Sequence, residues 1–117
     1  MSRREHSDSN QKQIVRTLRS VGASVAITAK VGNGFPDLVV GYRGEDRQLE
    51  VKVPGWRTRC GGRRQKQTLE RQAEHRRTWK GTPPKVVTTQ LEALVAIGYL
   101  EETIRHVAFA RRLPLVT

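Results

Sequence analysis

The chain has 117 residues and a formal net charge of +11, with 36% hydrophobic and only 5% aromatic residues. That length fits a single domain over residues 1–117 with one modest core, and so lean a core leaves room for help from a partner subunit. No apolar run approaches the ~20 residues of a membrane helix, and no apolar segment of signal-peptide type follows the N-terminal residues, so a soluble, intracellular (cytoplasmic) protein is expected. Cys60 is the only cysteine, which excludes an internal disulfide and a Cys-based zinc site; it reads as an incidental thiol. The charge is unevenly placed. Residues 52–85 carry +9 of the total, with only Glu70 and Glu74 as acids. Such a block suits a phosphate backbone or an anionic membrane surface. A solvated face or a disordered basic loop would look similar, although a purely solvating surface more often mixes both signs.

In chain order, Met1 to Ser7 is polar and expected to fray, and Asp8-Ser9 offers N-cap candidates. From Asn10 to Val21 the apolar positions Ile14, Val15, Leu18 and Val21 form one helical stripe. Gly22 is the expected C′ residue. Ala23 to Ala29 reads as a strand with Val25 and Ile27 on one face. Gly32-Asn33-Gly34 precedes no helix, so it is no phosphate loop; its glycines allow a sharp turn. Asp37 to Val53 predicts a hairpin: Leu38-Val39-Val40 as one strand, Arg43 to Arg47 as the turn, and an alternating strand from Leu49 to Val53. Residues two apart share a face. Glu50 and Lys52 therefore point one way, while Leu49, Val51 and Val53 point the other.

Pro54 to Arg64 is rich in glycine and arginine, without periodicity, and reads as a mobile basic loop over 54–64. Trp56 either anchors it or stacks on a base or sugar; the anchor is favoured. Gln65 to Lys80 predicts a helix with a thin apolar stripe of Leu69, Ala73 and Trp79, ended by Gly81. Lys85-Val86-Val87 is a short strand. Thr88 or Thr89 caps a helix carrying Leu91, Leu94, Val95 and Ile97, which ends at Gly98. Glu101 to Leu113 predicts a last helix with Ile104, Val107, Ala108 and Leu113, packed on the core or on a second subunit. The order is α-β-β-β-α-β-α, an α/β fold with a small sheet flanked by helices.

An antiparallel hairpin brings Asp37 towards Glu50 and Lys52. Phosphodiester hydrolysis uses a metal to polarise the phosphate and deliver water. Mg²⁺ typically takes one or two carboxylates plus waters and substrate oxygens. Asp37 and Glu50 can supply the carboxylates, and the backbone carbonyl of Val51 a third protein ligand. Lys52 can orient the attacking water or neutralise developing charge. The bland alternative is a surface ion-pair cluster contributing about 0–1 kcal/mol. His6, His75 and His106 show no metal-ligand spacing and read as structural or solvent-exposed residues; a phosphate contact is the best functional reading of His75.

Pro36-Asp37, twelve intervening residues, and then Glu50-Val51-Lys52 resembles the PD-(D/E)XK nuclease superfamily. Gly32-Asn33-Gly34-Phe35-Pro36-Asp37-Leu38-Val39-Val40-Gly41, then Leu49-Glu50-Val51-Lys52, then Gln72 before Trp79-Lys80-Gly81, is similar to the VRR-NUC type, especially its small stand-alone phage forms. The likeness covers roughly residues 8–98, leaving 99–117 as an extension. It implies a restriction-endonuclease-like core with a mixed sheet, Mg²⁺ or Mn²⁺ dependence, homodimers, and cleavage of branched DNA such as Holliday (four-way) junctions. It also implies a supporting role for Gln72 on the helix after the catalytic strand; the alternative is a solvent-facing residue. In related resolvases an acid on the first helix helps bind metal. Here that position holds Gln11, with Asn10 and Asp8 nearby. Arg57, Arg59, Arg63, Arg64, Lys66, Arg76, Arg77 and Lys80 are the expected DNA-contacting cations. Two rivals stand beside a junction-cleaving endonuclease. One is a non-catalytic branched-DNA-binding module with the same fold, and the other a nuclease acting on flapped, nicked or single-stranded DNA.

Overall fold

The computed structural model describes residues 3–58 and 61–100. The helix predicted over 101–113 therefore lies outside the described residues, as do Arg59, Cys60 and His106. Helix α1 (Arg3–Ser20) leads into strand β1 (Ser24–Ile27), β2 (Leu38–Tyr42) and β3 (Glu45–Val51). A 3-10 turn (Trp56–Thr58) precedes α2 (Arg63–Thr78), β4 (Lys85–Val87) and α3 (Gln90–Ala96). The expected α/β order is observed. The sheet runs β1-β2-β3-β4 and is antiparallel except for the parallel β3–β4 pair, so it is mixed. Helix α2 is the crossover that a parallel pair requires.

The stripe on α1 explains why that helix forms and where it packs. Ile14, Val15 and Leu18 are buried against Leu38, Val40, Leu49, Val51 and Val87 from one face of the sheet, with Ala93, Ala96 and Ile97 closing the core. Burying each large side chain contributes roughly 1.5–3 kcal/mol. Gly22, at φ +93, ends α1 in a Schellman arrangement: Ala23 N–H donates to Leu18 O and Gly22 N–H to Arg19 O. At the other end the helix extends through Asp8-Ser9 to Arg3, so these residues are not the N-cap. Arg3, Arg4 and Glu5 are good helix formers and carry the helix past them.

Several boundaries differ from expectation for local reasons. Strand β1 stops at Ile27 because Thr28 enters a turn, accepting from Val31 N–H. The β2–β3 connection is only Arg43-Gly44, at φ 53 and 81, a two-residue hairpin with both central residues at positive φ. Glu45, Asp46 and Arg47 are therefore strand, paired with Tyr42, Gly41 and Val40. The 54–64 segment is not wholly irregular: Trp56–Thr58 forms a helical turn and Arg63 and Arg64 open α2. Helix α2 ends before Gly81, at the extended C-cap Trp79. Thr89 caps α3 by accepting from Glu92 N–H at 3.0 Å, and Glu92 reaches back to Thr88 N–H at 2.9 Å. On α3 the buried positions are Ala93 and Ala96, followed by the buried C-cap Ile97, whereas Leu91 and Val95 remain 61% and 58% exposed. Among the described residues no helix is long and apolar enough to cross a membrane.

Candidate active site

The face of β3 opposite the core presents Gln48, Glu50 and, just beyond the strand, Lys52. Helix α2 lies over it, but not on the apolar stripe expected from the sequence. Ala73 and Trp79 are exposed, and the buried α2 residue is Gln72. Three polar rungs join the two elements instead. Lys52 Nζ donates to Gln72 Oε1 at 2.6 Å, Arg76 Nη1 to Glu50 Oε2, and His75 Nε2 meets Gln48 Oε1 at 3.0 Å. The spacing is intelligible: i, i+2, i+4 along a strand matches i, i+3, i+4 along a helix, each defining one face. The match is present in the sequence as a spacing of polar rather than apolar residues.

Asp37 is fixed from the other side. Thr28 N–H donates to Asp37 O at 2.7 Å and Thr28 Oγ1 to Pro36 O at 2.8 Å, so the end of β1 clamps the Pro36-Asp37 backbone. Continuing the Leu38–Leu49 register by one residue sets Asp37 opposite Glu50. Val51 N–H donates to Asp37 Oδ2 at 2.8 Å. Gly34 admits α2 to this corner. At φ +83 its Cα faces the α2 backbone, where a Cβ would come within 2.2 Å of Arg71 O. From α1, Asn10 Nδ2 donates to Lys52 O at 2.8 Å and to Thr88 O at 3.0 Å, tying the ends of β3 and β4. Among the described side chains of α1, the one bonded to this corner is Asn10; Gln11 is half-buried, and no hydrogen bond joins it to Asp37, Glu50 or Lys52.

Burial dominates the electrostatics. It raises the Asp37 carboxyl above the usual carboxylate range, against the lowering effects of Val51 N–H and Lys52. It likewise raises Glu50, which is fully buried, against the opposing pull of Arg76 and Lys52 and with the Asp37 charge adding to the rise. Burial lowers the Lys52 ammonium, Asp37 and Glu50 opposing and Arg76 adding to the fall. Glu50 Oε1 is buried with no hydrogen-bond partner. A buried carboxylate oxygen without a partner is costly, and its chemistry suits a hard cation shared with Asp37. Two carboxylates with water are an adequate protein set for Mg²⁺. No group of three or more His, Cys, Asp or Glu side chains that could hold a metal occurs among the described residues.

The expected cations divide. Arg63, Arg64 and Lys66 are exposed on the first turns of α2 and Lys80 is exposed beyond its end. Arg57 lies over the Trp56 ring at 5.3 Å, with Lys52 Nζ 5.7 Å from the same ring. Trp56, half-buried, thus holds the 3-10 turn beside Lys52. Arg77 pairs with Glu74 at 2.6 Å on the surface, whereas Arg76 turns in to Glu50. His75 is occupied by Gln48 and by Trp79, on which it stacks at 5.0 Å.

No family model and no curated protein matches the chain. Among solved structures, one described as a "VRR_NUC domain" aligns with a TM-score of 0.51 at 21% identity, over 86% of this chain and 96% of its own. The chain therefore has a fold like that of a VRR_NUC domain, a mixed sheet flanked by helices.

Proposed function

We propose that the protein is a metal-dependent, structure-selective DNA endonuclease of VRR-NUC type within the PD-(D/E)XK superfamily, acting on branched DNA such as a four-way junction. The observation that carries this reading is the unpartnered, buried Glu50 Oε1 in a corner shared with Asp37 and Lys52. A fold like that of a solved VRR_NUC domain supports it.

Asp37, Glu50 and the Val51 carbonyl would hold Mg²⁺, or Mn²⁺ in its place, which when bound supplies Lewis-acid polarisation of the phosphate and an acidified water. The chain supplies the rest. Asp37 is preset by Val51 N–H and the Thr28 clamp, and Glu50 by Arg76. Gln72 Oε1 accepts from Lys52 Nζ and holds that group beside both carboxylates. A cation fixed there stabilises negative charge developing on the phosphate oxygens and orients the attacking water. The exposed Arg63, Arg64 and Lys66 hold backbone phosphates, which position DNA without reading sequence. Two copies of the chain would cut two strands of one junction, so a homodimer belongs to this reading. So does an intracellular site of action, as for a phage protein working in its host.

The test is incubation with a four-way junction, a flap, a nicked duplex and plain duplex in Mg²⁺, with Asp37→Ala and Glu50→Ala alongside. Junction cleavage lost in both variants is expected. Cleavage of none of them, or cleavage unchanged in Asp37→Ala, defeats the proposal. A second reading, a non-catalytic branched-DNA-binding module, draws on the uncharged Gln11 and on Arg76 already occupying Glu50 Oε2. Calorimetric Mg²⁺ or Mn²⁺ binding that disappears in Glu50→Ala argues against it, and tight junction binding without metal-dependent hydrolysis supports it.

A further inference from the structure

The chain's two tryptophans bracket the carboxylate corner. Trp56 lies at the Lys52 end. Trp79 lies at the other, beyond the Gln48–His75 rung. Its indole stacks on His75 at 5.0 Å with the rings 26° apart, and Phe35 meets it edge-on at 6.4 Å. Both supports are tied to the site: His75 adjoins Arg76, which holds Glu50, and Phe35 is two residues from Asp37. The backbone of Gly81 runs against the indole edge, where a Cβ would stand 3.0 Å from Nε1. Yet Trp79 remains 41% exposed. The exposed Lys80 follows it in the chain, and α2, which leads to it, exposes Arg63, Arg64, Lys66 and Arg71, while Arg77 and Glu74 pair with each other.

We propose that Trp79, backed by His75 and Phe35, is a stacking platform for an unpaired nucleobase next to the scissile phosphate. The inference rests on the nuclease reading and deepens it by naming what is read on branched DNA: a base freed from pairing at the branch point, as at a flap or an opened four-way junction. A rigid aromatic held by a second ring presents a flat π-face at little entropic cost. Base–aromatic stacking tolerates any base, which matches a protein that reads backbone and shape. The occupant is a base rather than an apolar protein surface because the helix that leads to the ring is basic on its exposed positions, Arg63, Arg64, Lys66 and Arg71, and the exposed Lys80 follows the ring in the chain; these cations complement a phosphate-bearing ligand and would be costly to bury against an apolar partner. In a duplex the π-faces of internal bases are occupied by their neighbours, so an uninterrupted duplex leaves the platform empty.

The experiment measures binding in EDTA, so that it does not depend on cleavage. Trp56→Phe leaves Trp79 as the only fluorophore of its kind in the full chain. Its emission should be quenched saturably by oligothymidylate and not by a blunt duplex of equal length. In the otherwise unaltered protein, Trp79→Ala should weaken binding to the single strand and to a flap roughly tenfold, with duplex affinity changed less than about twofold. Trp79→Phe should recover most of the loss, which separates stacking from misfolding. Unaltered Trp79 emission at saturating single strand overturns the proposal, as does an equal loss for single strand and duplex. Emission that depends on protein concentration without DNA would assign the ring to a contact between copies and overturn it too. Each of these failures leaves Asp37-dependent cleavage, and so the nuclease reading, untouched.

Discussion

Glu50 and its neighbours illustrate at the residue scale how a site is built against stability. Burial raises the Glu50 and Asp37 carboxyls, so the folded metal-free protein binds protons more tightly than the unfolded chain does. Stability from these groups is therefore fully present below the ordinary carboxylate pKa and is lost as pH rises through the raised folded values. Glu50→Gln should melt higher than the parent at neutral pH without metal, and the difference should shrink as pH falls towards 4, measured by thermal melts across that range. Lys52 has the opposite sense. Its lowered folded pKa contributes stability above the ordinary lysine value, and that stability is lost as pH falls through the lowered one. Arg76 is the complementary case. Arg76→Ala leaves Glu50 buried without its nearest cation; breaking a buried pair costs about 3–5 kcal/mol, and the partial exposure of Arg76 reduces this to roughly 1–3 kcal/mol. A denaturant melt of Arg76→Ala beside the Glu50→Gln/Arg76→Ala double variant checks the coupling, and the double variant should be the more stable.

At the scale of elements, the hairpin and α2 meet through a contact only glycine permits. Gly34 combines φ +83 with a backbone approach that a Cβ would occupy, 2.2 Å from Arg71 O. Gly34→Ala should push α2 off the Asp37 loop. Destabilisation of roughly 2–4 kcal/mol is expected from strained φ and steric displacement together. If catalysis needs the Lys52–Gln72 rung, junction cleavage should fall with it. Gly32→Ala is the control, since its added Cβ meets nothing within 4 Å and only the strained φ of +78 remains. Its cost should be the smaller, as chemical denaturation of both variants would show. This element pair also explains a missed docking face. The sequence of α2 predicts a helix with an apolar stripe of Leu69, Ala73 and Trp79, yet Ala73 and Trp79 are exposed and Gln72 is buried. A crossover helix normally lays an apolar face on its sheet. Here the sheet face is Gln48-Glu50-Lys52, so the helix answers with Gln72, His75 and Arg76.

Over the whole molecule, the sheet separates two jobs. One face carries the core under α1 and α3, where Leu18→Ala should cost about 2–5 kcal/mol in a denaturant melt. The other carries the charged corner under α2, whose first turns present Arg63, Arg64 and Lys66 to solvent. If these three contact phosphates, replacing each with Ala should weaken DNA binding at every sequence alike. The slope of log K against log salt should fall by about 0.9 per residue on duplex. Binding titrations at several salt concentrations measure it.

Much of this was legible in the chain. The 3.6-residue stripe of α1, the alternation through Leu49–Val51, the Pro36-Asp37 start of β2 and the cap at Thr89 are local patterns, and each appears where its periodicity or turn chemistry puts it. Element ends were less legible, since a strand or helix stops where pairing and packing stop. The nearness of Asp37 to Glu50 followed from the hairpin alone. The rest needed the fold. Only the β3-α2-β4 crossover sets Gln72 on Lys52 and Arg76 on Glu50, and only the approach at Gly34 closes the corner over Asp37. Sequence by itself determined which side chains share a face, because that is fixed by the backbone repeat of a single element. Tertiary structure decided which two faces meet, because the contact between β3 and α2 joins residues 20 to 27 positions apart and burial, which sets the carboxyls' proton affinity, exists only once that contact is made.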